Sequence, residues 1–382
     1  MNHRRLWLQA LGLGLVGVHG GLAAETWADA APVPRIGATR LLRRWLTGNA
    51  RLAPVSFVPR HEAGAHCSAG LLFSGETTLG LVDPHHEDPL WVRPHALPGG
   101  AVFRPRTAAG TALGAGRDTL GAWRLMDGEP LWRRPAERQW GVPCLSEDAV
   151  FVGDGHALLA LDLATGGLRW RFAATLDTLI SYAPVATREL VLVGPGDGRL
   201  YALDRDTGQL RWERNRQDDW KYLRQLHLAS DHLLIAGGYT EKLYGIDLAN
   251  GDTRWTFSAG NFINSHHVVG DGAYLWSPTG WIYALDIETG EVRWRHLTTG
   301  YRGSPLDWAP LVAELASSED RLFALDLGHI LHVLAMAGGE ELARYPLAAV
   351  QPFVTPLDRR QVALGGGTGE LWLVALDEPA SA

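Results

Sequence analysis

The chain has 382 residues, 20% of them charged and 9% aromatic, with a formal net charge of -7. That balance fits a folded globular protein and excludes a disordered polyelectrolyte. No basic stripe is present, which excludes a nucleic-acid reader, while 45 glycines and 16 tryptophans imply many tight turns and many large, repeated packing contacts.

Residues 1–30 read as an export signal. "MNHRR" is a positive head and "LWLQALGLGLVGVHGGLAA" an apolar, glycine-rich middle, followed by small residues with cleavage sites at Ala23-Ala24 or Ala28-Asp29-Ala30. His19 and the glycines interrupt the apolar run too often for a membrane span. Residues 4–9 resemble a twin-arginine signal, with Trp7 and Gln9 departing from it, so the general secretory and twin-arginine routes both stay open. No cysteine ends the apolar run, so no lipid anchor is expected. Residues 31–382 are expected to form one exported, monomeric, periplasmic domain.

That domain repeats. "LLALDLATGGLRW" ends at Trp170, "LYALDRDTGQLRW" at Trp212, "LYGIDLANGDTRW" at Trp255 and "IYALDIETGEVRW" at Trp294. Asp162, Asp204, Asp247 and Asp286 each stand eight residues before their Trp, and Gly166, Gly208, Gly251 and Gly290 four before it. Weaker copies flank these. "LGLVDPHHEDPLW" ends at Trp91, "AWRLMDGEPLW" at Trp132 with a shorter turn, and "LHVLAMAGGEELA" has Ala335 and Ala343 where Asp and Trp are expected. Upstream of each phrase lies another apolar run and a Gly/Asp turn, as in "ELVLVGPGDGRLYALD" over 189–204. These are hairpins. A short preceding strand makes each unit four strands long, which is a propeller blade.

The phrase has a structural reading throughout. "LYAL" is a third strand covered on both faces. Asp204 accepts hydrogen bonds from turn N–H groups, and Gly208 supplies the left-handed position. Trp212 lies on the outer strand, where its ring reaches the next blade and its indole N–H meets a backbone carbonyl. Ala160, Ala202, Gly245 and Ala284 leave room for the rings. The phrase occurs eight times, the last at 370–377 with no Trp strand after it, while residues 38–45, "ATRLLRRW", are a Trp strand with no blade before it. The two halves predict an all-β, eight-bladed propeller closed by the N-terminal strand, which leaves no exposed sheet edge at the ring's seam. Seven blades is the alternative, if the copy around Ala335 is not a blade.

The pattern A-x-D-x-x-T-G-x-x-x-W resembles the tryptophan-docking repeat of the PQQ-like β-propellers. It is carried by Ala160, Asp162, Gly166 and Trp170, by Ala202, Asp204, Thr207, Gly208 and Trp212, and by Ala284, Asp286, Thr289, Gly290 and Trp294. The resemblance covers residues 31–382 and implies the fold. Function divides between two branches. Quinoprotein alcohol dehydrogenases hold pyrroloquinoline quinone and Ca²⁺ in the funnel, with an adjacent-cysteine disulfide that this chain lacks. The BamB-like branch is a cofactor-free periplasmic scaffold of outer-membrane protein assembly, with a lipid-attachment Cys that is also missing here. Length and blade regularity resemble the second branch. A non-enzymatic scaffold with envelope or periplasmic protein partners and no cofactor is therefore expected. The alternatives are a quinoprotein binding PQQ with Ca²⁺, or an accessory subunit of an exported oxidoreductase.

Ligand chemistry would lie in the loops between blades. Residues 215–227 carry Asp218, Asp219, Trp220, Lys221, Tyr222 and Arg224; residues 261–269 carry Asn261, Asn264, His266 and His267; residues 298–310 carry Tyr301, Arg302, Asp307 and Trp308. Trp220 or Trp308 would stack on a planar anion, Lys221 and Arg302 would pair with its carboxylates, and Asn264 or Asp219 would meet a cation. The same residue types suit a protein interface. Adjacent histidines on a strand point to opposite faces, so His266 and His267 are not expected to share a metal, and His85-His86 sits in a solvated turn. His61 and His66 have no third ligand in register. Cys67 and Cys144 fall on inner strands two blades apart, beyond disulfide reach, and are expected to be free and buried. No Ser-His-Asp order, phosphate loop, HExxH motif or WD-repeat signature is present.

Overall fold

A computed structural model describes residues 35–59, 62, 70–95, 103–173, 178–216, 219–220, 223–238, 241–260, 263, 265–277, 280–298, 314–326 and 328–377. Residues 1–30, and with them the export signal and its cleavage sites, lie outside the described residues. The repeat folds the way its turns dictate. In the fourth blade the strands are Val185–Ala186, Leu190–Val193, Arg199–Asp204 and Leu210–Asn215, each antiparallel to the next. Leu200, Tyr201, Ala202 and Leu203 are all buried, because neighbouring blades cover both faces of the third strand.

Eight such four-stranded sheets form a ring. Blades 1 to 8 span 56–94, 106–135, 144–173, 185–215, 223–258, 265–297, 314–346 and 350–376. The unit with Ala335 and Ala343 is a true blade, so the count is eight and not seven. The N-terminal strand Thr39–Trp45 pairs antiparallel with Leu371–Leu376 and supplies the fourth strand of blade 8, as expected. The apolar core is not one centre. It is divided into eight clusters, each made of residues from two adjacent blades.

The repeated phrase builds those seams. Asp204 Oδ1 accepts the backbone N–H of Thr207 at 2.9 Å and its hydroxyl at 2.8 Å. A bulge in the outer strand follows. Ala202 faces Trp212 and Leu203 faces Leu210, so Arg211 is an extra residue. The bulge turns the Arg211 guanidinium back onto Asp204 Oδ2 at 2.5 Å. Asp162–Arg169, Asp247–Arg254 and Asp286–Arg293 repeat the pair at 2.7 Å each. The Trp then crosses to the next blade. Trp170 Nε1 donates to the Arg205 carbonyl at 2.8 Å, and a Cβ on Gly208 would meet the Trp170 ring at 2.7 Å. Gly208 has φ of 70°, so both backbone and space exclude a side chain there. Trp212 donates to Leu248 O, Trp255 to Ile287 O and Trp294 to Met336 O in the same way.

Candidate functional site

The loop residues named above divide. Lys221, Tyr222, Asn264, Tyr301, Arg302 and Trp308 lie outside the described residues, as do Asp218, Asn261, Asp307, Cys67, His61 and His66. Trp220 is described, and its position differs from the expectation. It is fully buried in the core between blades 4 and 5, edge-on to Tyr244, with the Arg216 guanidinium 5.5 Å from its ring centre. Its ring offers no free face to a planar ligand. Asp219 is tied to its own blade: its side chain accepts from Lys242 at 3.1 Å and its carbonyl from the Tyr244 hydroxyl at 2.6 Å.

The innermost strands of blades 2, 5 and 6 gather the titratable chemistry. His266 and His267 point to opposite faces of the strand Ser265–Val269. His266 meets His227 of blade 5, with ring centres 4.5 Å apart, and packs over Gly237. His267 reaches the other way, its Nε2 2.8 Å from Ser317 Oγ of blade 7. His266 is buried, and its ring lies near the Gln225 backbone without a well-formed hydrogen bond. Burial, and then the charges of His227 and His267, hold its pKa well below the ordinary 6.5. Burial likewise lowers His227 and His267 to about 4, aided by His267 and Arg106 for the first and by Arg104 for the second.

Arg106 opens the inner strand of blade 2, Arg106–Ala108, and Arg104 stands two residues before it. Arg106 is reached by solvent, yet enclosing protein lowers its pKa. Arg104 is lowered to about 10 by burial and by the charge of Arg106. The influence of Arg106 extends to Cys144 on blade 3 and to His227 on blade 5. Cys144 is a free thiol, half-buried rather than buried, and desolvation pushes it up from its ordinary value. The two arginines escaped the sequence reading. Their visible trace is "FRPRTA" at 103–108, where charge occupies an inner-strand position.

A second polar network closes blade 7. His332 is buried, with Nδ1 2.7 Å from Glu341 Oε1 and Nε2 3.3 Å from Asp326 Oδ2. Two facing carboxylates require both ring nitrogens to carry protons, so this histidine is an imidazolium. Glu341 also meets His296 of blade 6 at 3.1 Å and both arms of Arg344, at 2.6 and 2.7 Å. Burial alone would raise Glu341, and the three donors outweigh it and hold the carboxyl far below its ordinary range. His332 is raised, because the hydrogen bonds to Asp326 and Glu341 outweigh its burial. The same strand holds the N-terminus in place: Arg344 N donates to Arg35 O and Gly37 N to Arg344 O, both at 2.8 Å.

The quinone reading needs a stacking ring and a cation site. Trp220 and His266, the two proposed funnel residues that are described, are both buried and do not fit a planar quinone. No group of three metal-ligating side chains occurs among the described residues. The sequence comparison favours the other branch. A family model described as outer membrane protein assembly factor BamB matches residues 116–259 and 217–371. The chain belongs to that family. A BamB of Bordetella pertussis is 30% identical over 163 residues, 41% of this chain and 41% of that relative. The chain spans less than half the length of the BamB relatives it matches. A serine/threonine-protein kinase AfsK of Streptomyces coelicolor is also similar, 31% identical over 54% of this chain and 24% of its own length. The crystal structure of BamB from Moraxella catarrhalis superposes with a TM-score of 0.62 at 19% identity, covering 85% of this chain and all of that one, a likeness of fold. No helix among the described residues is long and apolar enough to cross a membrane.

Proposed function

We propose that this BamB-family propeller is a non-enzymatic scaffold that works in outer-membrane protein assembly, exported to the periplasm by its N-terminal signal and acting there as a monomer on envelope proteins. The observation that carries the reading is the family match over residues 116–371, together with a ring whose repeated residues are used up in packing. A rigid ring holds its loops at fixed spacing, which is what a docking platform needs. Deleting the gene should lower the level of β-barrel proteins in the outer membrane, and the full chain should restore it. Unchanged barrel levels would overturn the assembly role. N-terminal sequencing of the exported protein tests the signal and should find a start between residues 24 and 31. Pyrroloquinoline quinone with Ca²⁺, titrated into the purified protein, should leave the melting temperature unchanged. Saturable, Ca²⁺-dependent stabilisation would move the protein to the quinoprotein reading.

A further inference from the structure

The seam between blades 8 and 1 is built differently from the regular ones. At a regular seam, a Trp of the outer strand donates its indole N–H to the first carbonyl of the next blade's turn: Trp91 to Leu125 O, Trp132 to Leu163 O and Trp170 to Arg205 O, at 2.8 Å each. Register shows what stands at that place in blade 8. Trp170 faces Ala160 just after the bulge residue Arg169, and Arg43 faces Leu373 just after the bulge residue Leu42. An arginine therefore replaces the ring. Trp45, two residues farther along, crosses instead, and its indole donates to His86 O at 3.2 Å. The carbonyl that corresponds to Arg205 O is that of Pro84, which follows Asp83 as Arg205 follows Asp204, and the Trp45 indole does not take it. The receiving turn also lacks its glycine. Glu87 stands where the blade 4 turn has Gly208, so no ring lies over it as Trp170 lies over Gly208.

The exchange leaves a cleft of about 390 Å³ at this seam. Binding clefts commonly enclose about 300–1,000 Å³. Its apolar walls are Leu42, Phe57, Pro84, Leu357 and Leu373. Phe57 is 41% exposed, a large apolar surface turned to water on an inner strand. Arg43 lines the cleft as well. Its Nη1 donates to the neighbouring Leu42 carbonyl at 2.9 Å, and its Nε is buried without a hydrogen-bond partner. A guanidinium so placed keeps donors for an acceptor that arrives from outside. The carboxylate in the cleft is engaged by its own turn, since Asp358 Oδ1 accepts the Arg360 and Gln361 N–H groups at 2.7 Å each.

We infer that this cleft is a docking site for a peptide segment of a partner protein that presents an aromatic side chain followed by a carboxylate. The ring enters against Phe57 and Pro84, and the carboxylate takes charge-assisted hydrogen bonds from Arg43. The regular seams argue for this occupant, because they fill the same gap with an indole and pair its N–H with a backbone carbonyl. Aromatic side chains seated in such pockets are also the usual anchors of protein interfaces. The inference rests on the scaffold reading and gives it a surface.

The test is calorimetric titration of the full chain with the end-blocked peptide Gly-Ser-Gly-Trp-Glu-Gly-Ser-Gly. It should bind saturably, with Kd below about 1 mM. Ala in place of the peptide's Trp should weaken binding about tenfold or more, and Gln in place of its Glu about threefold or more. On the protein, Phe57→Ser should weaken binding about tenfold and Arg43→Gln about threefold. Leu131→Ser, which removes a comparably exposed apolar side chain from blade 2, should change it less than about twofold. Melting temperatures within a few degrees of the parent would show that the variants fold. Three results would overturn the proposal: no saturable binding up to about 5 mM peptide, equal affinity for the peptide without Trp, or parental affinity in both Phe57→Ser and Arg43→Gln. A concentration-dependent dimer that Phe57→Ser dissolves would also overturn it, by giving the cleft to a second copy of the chain. The titration needs no cell, so it succeeds or fails independently of the barrel levels that test the scaffold reading.

Discussion

The seam between blades 3 and 4 and the seam between blades 7 and 8 solve one packing problem in two ways. At the first, Trp170 crosses to blade 4, lies over Gly208 and donates to the Arg205 carbonyl. At the second there is no such turn to receive a ring, because the third strand of blade 8 ends at Leu376 and its fourth strand comes from the other end of the chain. Position 343 is accordingly Ala, facing Val333. Tyr345, two residues on, takes over. Its ring is buried against Gly37, and its hydroxyl is 3.3 Å from the Asp377 carbonyl. The N-terminal residues then add a short parallel bridge, Ile36 to Arg344, and the His332–Glu341–Arg344 network stiffens the strand that carries it. Blade 7 still receives Trp294 over Gly339, although it donates no Trp of its own. The comparison teaches that the phrase is an agreement between neighbours. A blade needs the glycine turn to receive and the Trp to give, and the two can be lost separately.

The largest effect should come from removing the ring at the regular seam. Trp170→Ala should cost about 3–5 kcal/mol in urea unfolding, since the buried ring and its hydrogen bond are lost together. A loss under about 1 kcal/mol would mean that the seams do not depend on the phrase. At the irregular seam, Glu341→Ala should cost about 3 kcal/mol, because His332, His296 and Arg344 lose the carboxylate they share and His332 keeps only Asp326. The parent's pH profile sharpens this. The contribution of Glu341, whose folded pKa is depressed, is present above its ordinary 4.5 and fades as pH falls through the lowered value. That of His332, whose folded pKa is raised, is present below 6.5 and fades as pH rises through the raised value. The difference between parent and variant should therefore be greatest between these limits, and a pH-independent difference would break the assignment.

Gly37→Leu should cost about 1–3 kcal/mol, because a Cβ there would stand 2.2 Å from the Tyr345 ring. Limited proteolysis near residue 35 should quicken in this variant, and an unchanged rate would separate the N-terminal bridge from Tyr345. The smallest effect belongs to the surface of the repeat. Asp204→Asn keeps the turn acceptor and loses the charge facing Arg211, so it should cost less than about 1 kcal/mol.

Residues 38–45 and 370–377 were enough to read the ring closure, because each is half of a unit that recurs in full elsewhere. An arginine stands at the bulge in each of the four strong repeats, Arg169, Arg211, Arg254 and Arg293, but its effect depends on a register shift that sequence spacing does not display. Trp220 misled for a related reason. It stands in a polar loop sequence, and only packing against Tyr244 and the blade 4–5 core determines that its ring is inside.

By itself the sequence determined the blade, its count and its closure, because period, turn chemistry and the Asp-to-Trp spacing act within about forty residues and repeat. Tertiary structure alone decided which side chains face one another between neighbouring blades. His227 and His266 are 39 positions apart in the chain. Their rings meet at 4.5 Å only because the inner strands of blades 5 and 6 stand side by side in the ring.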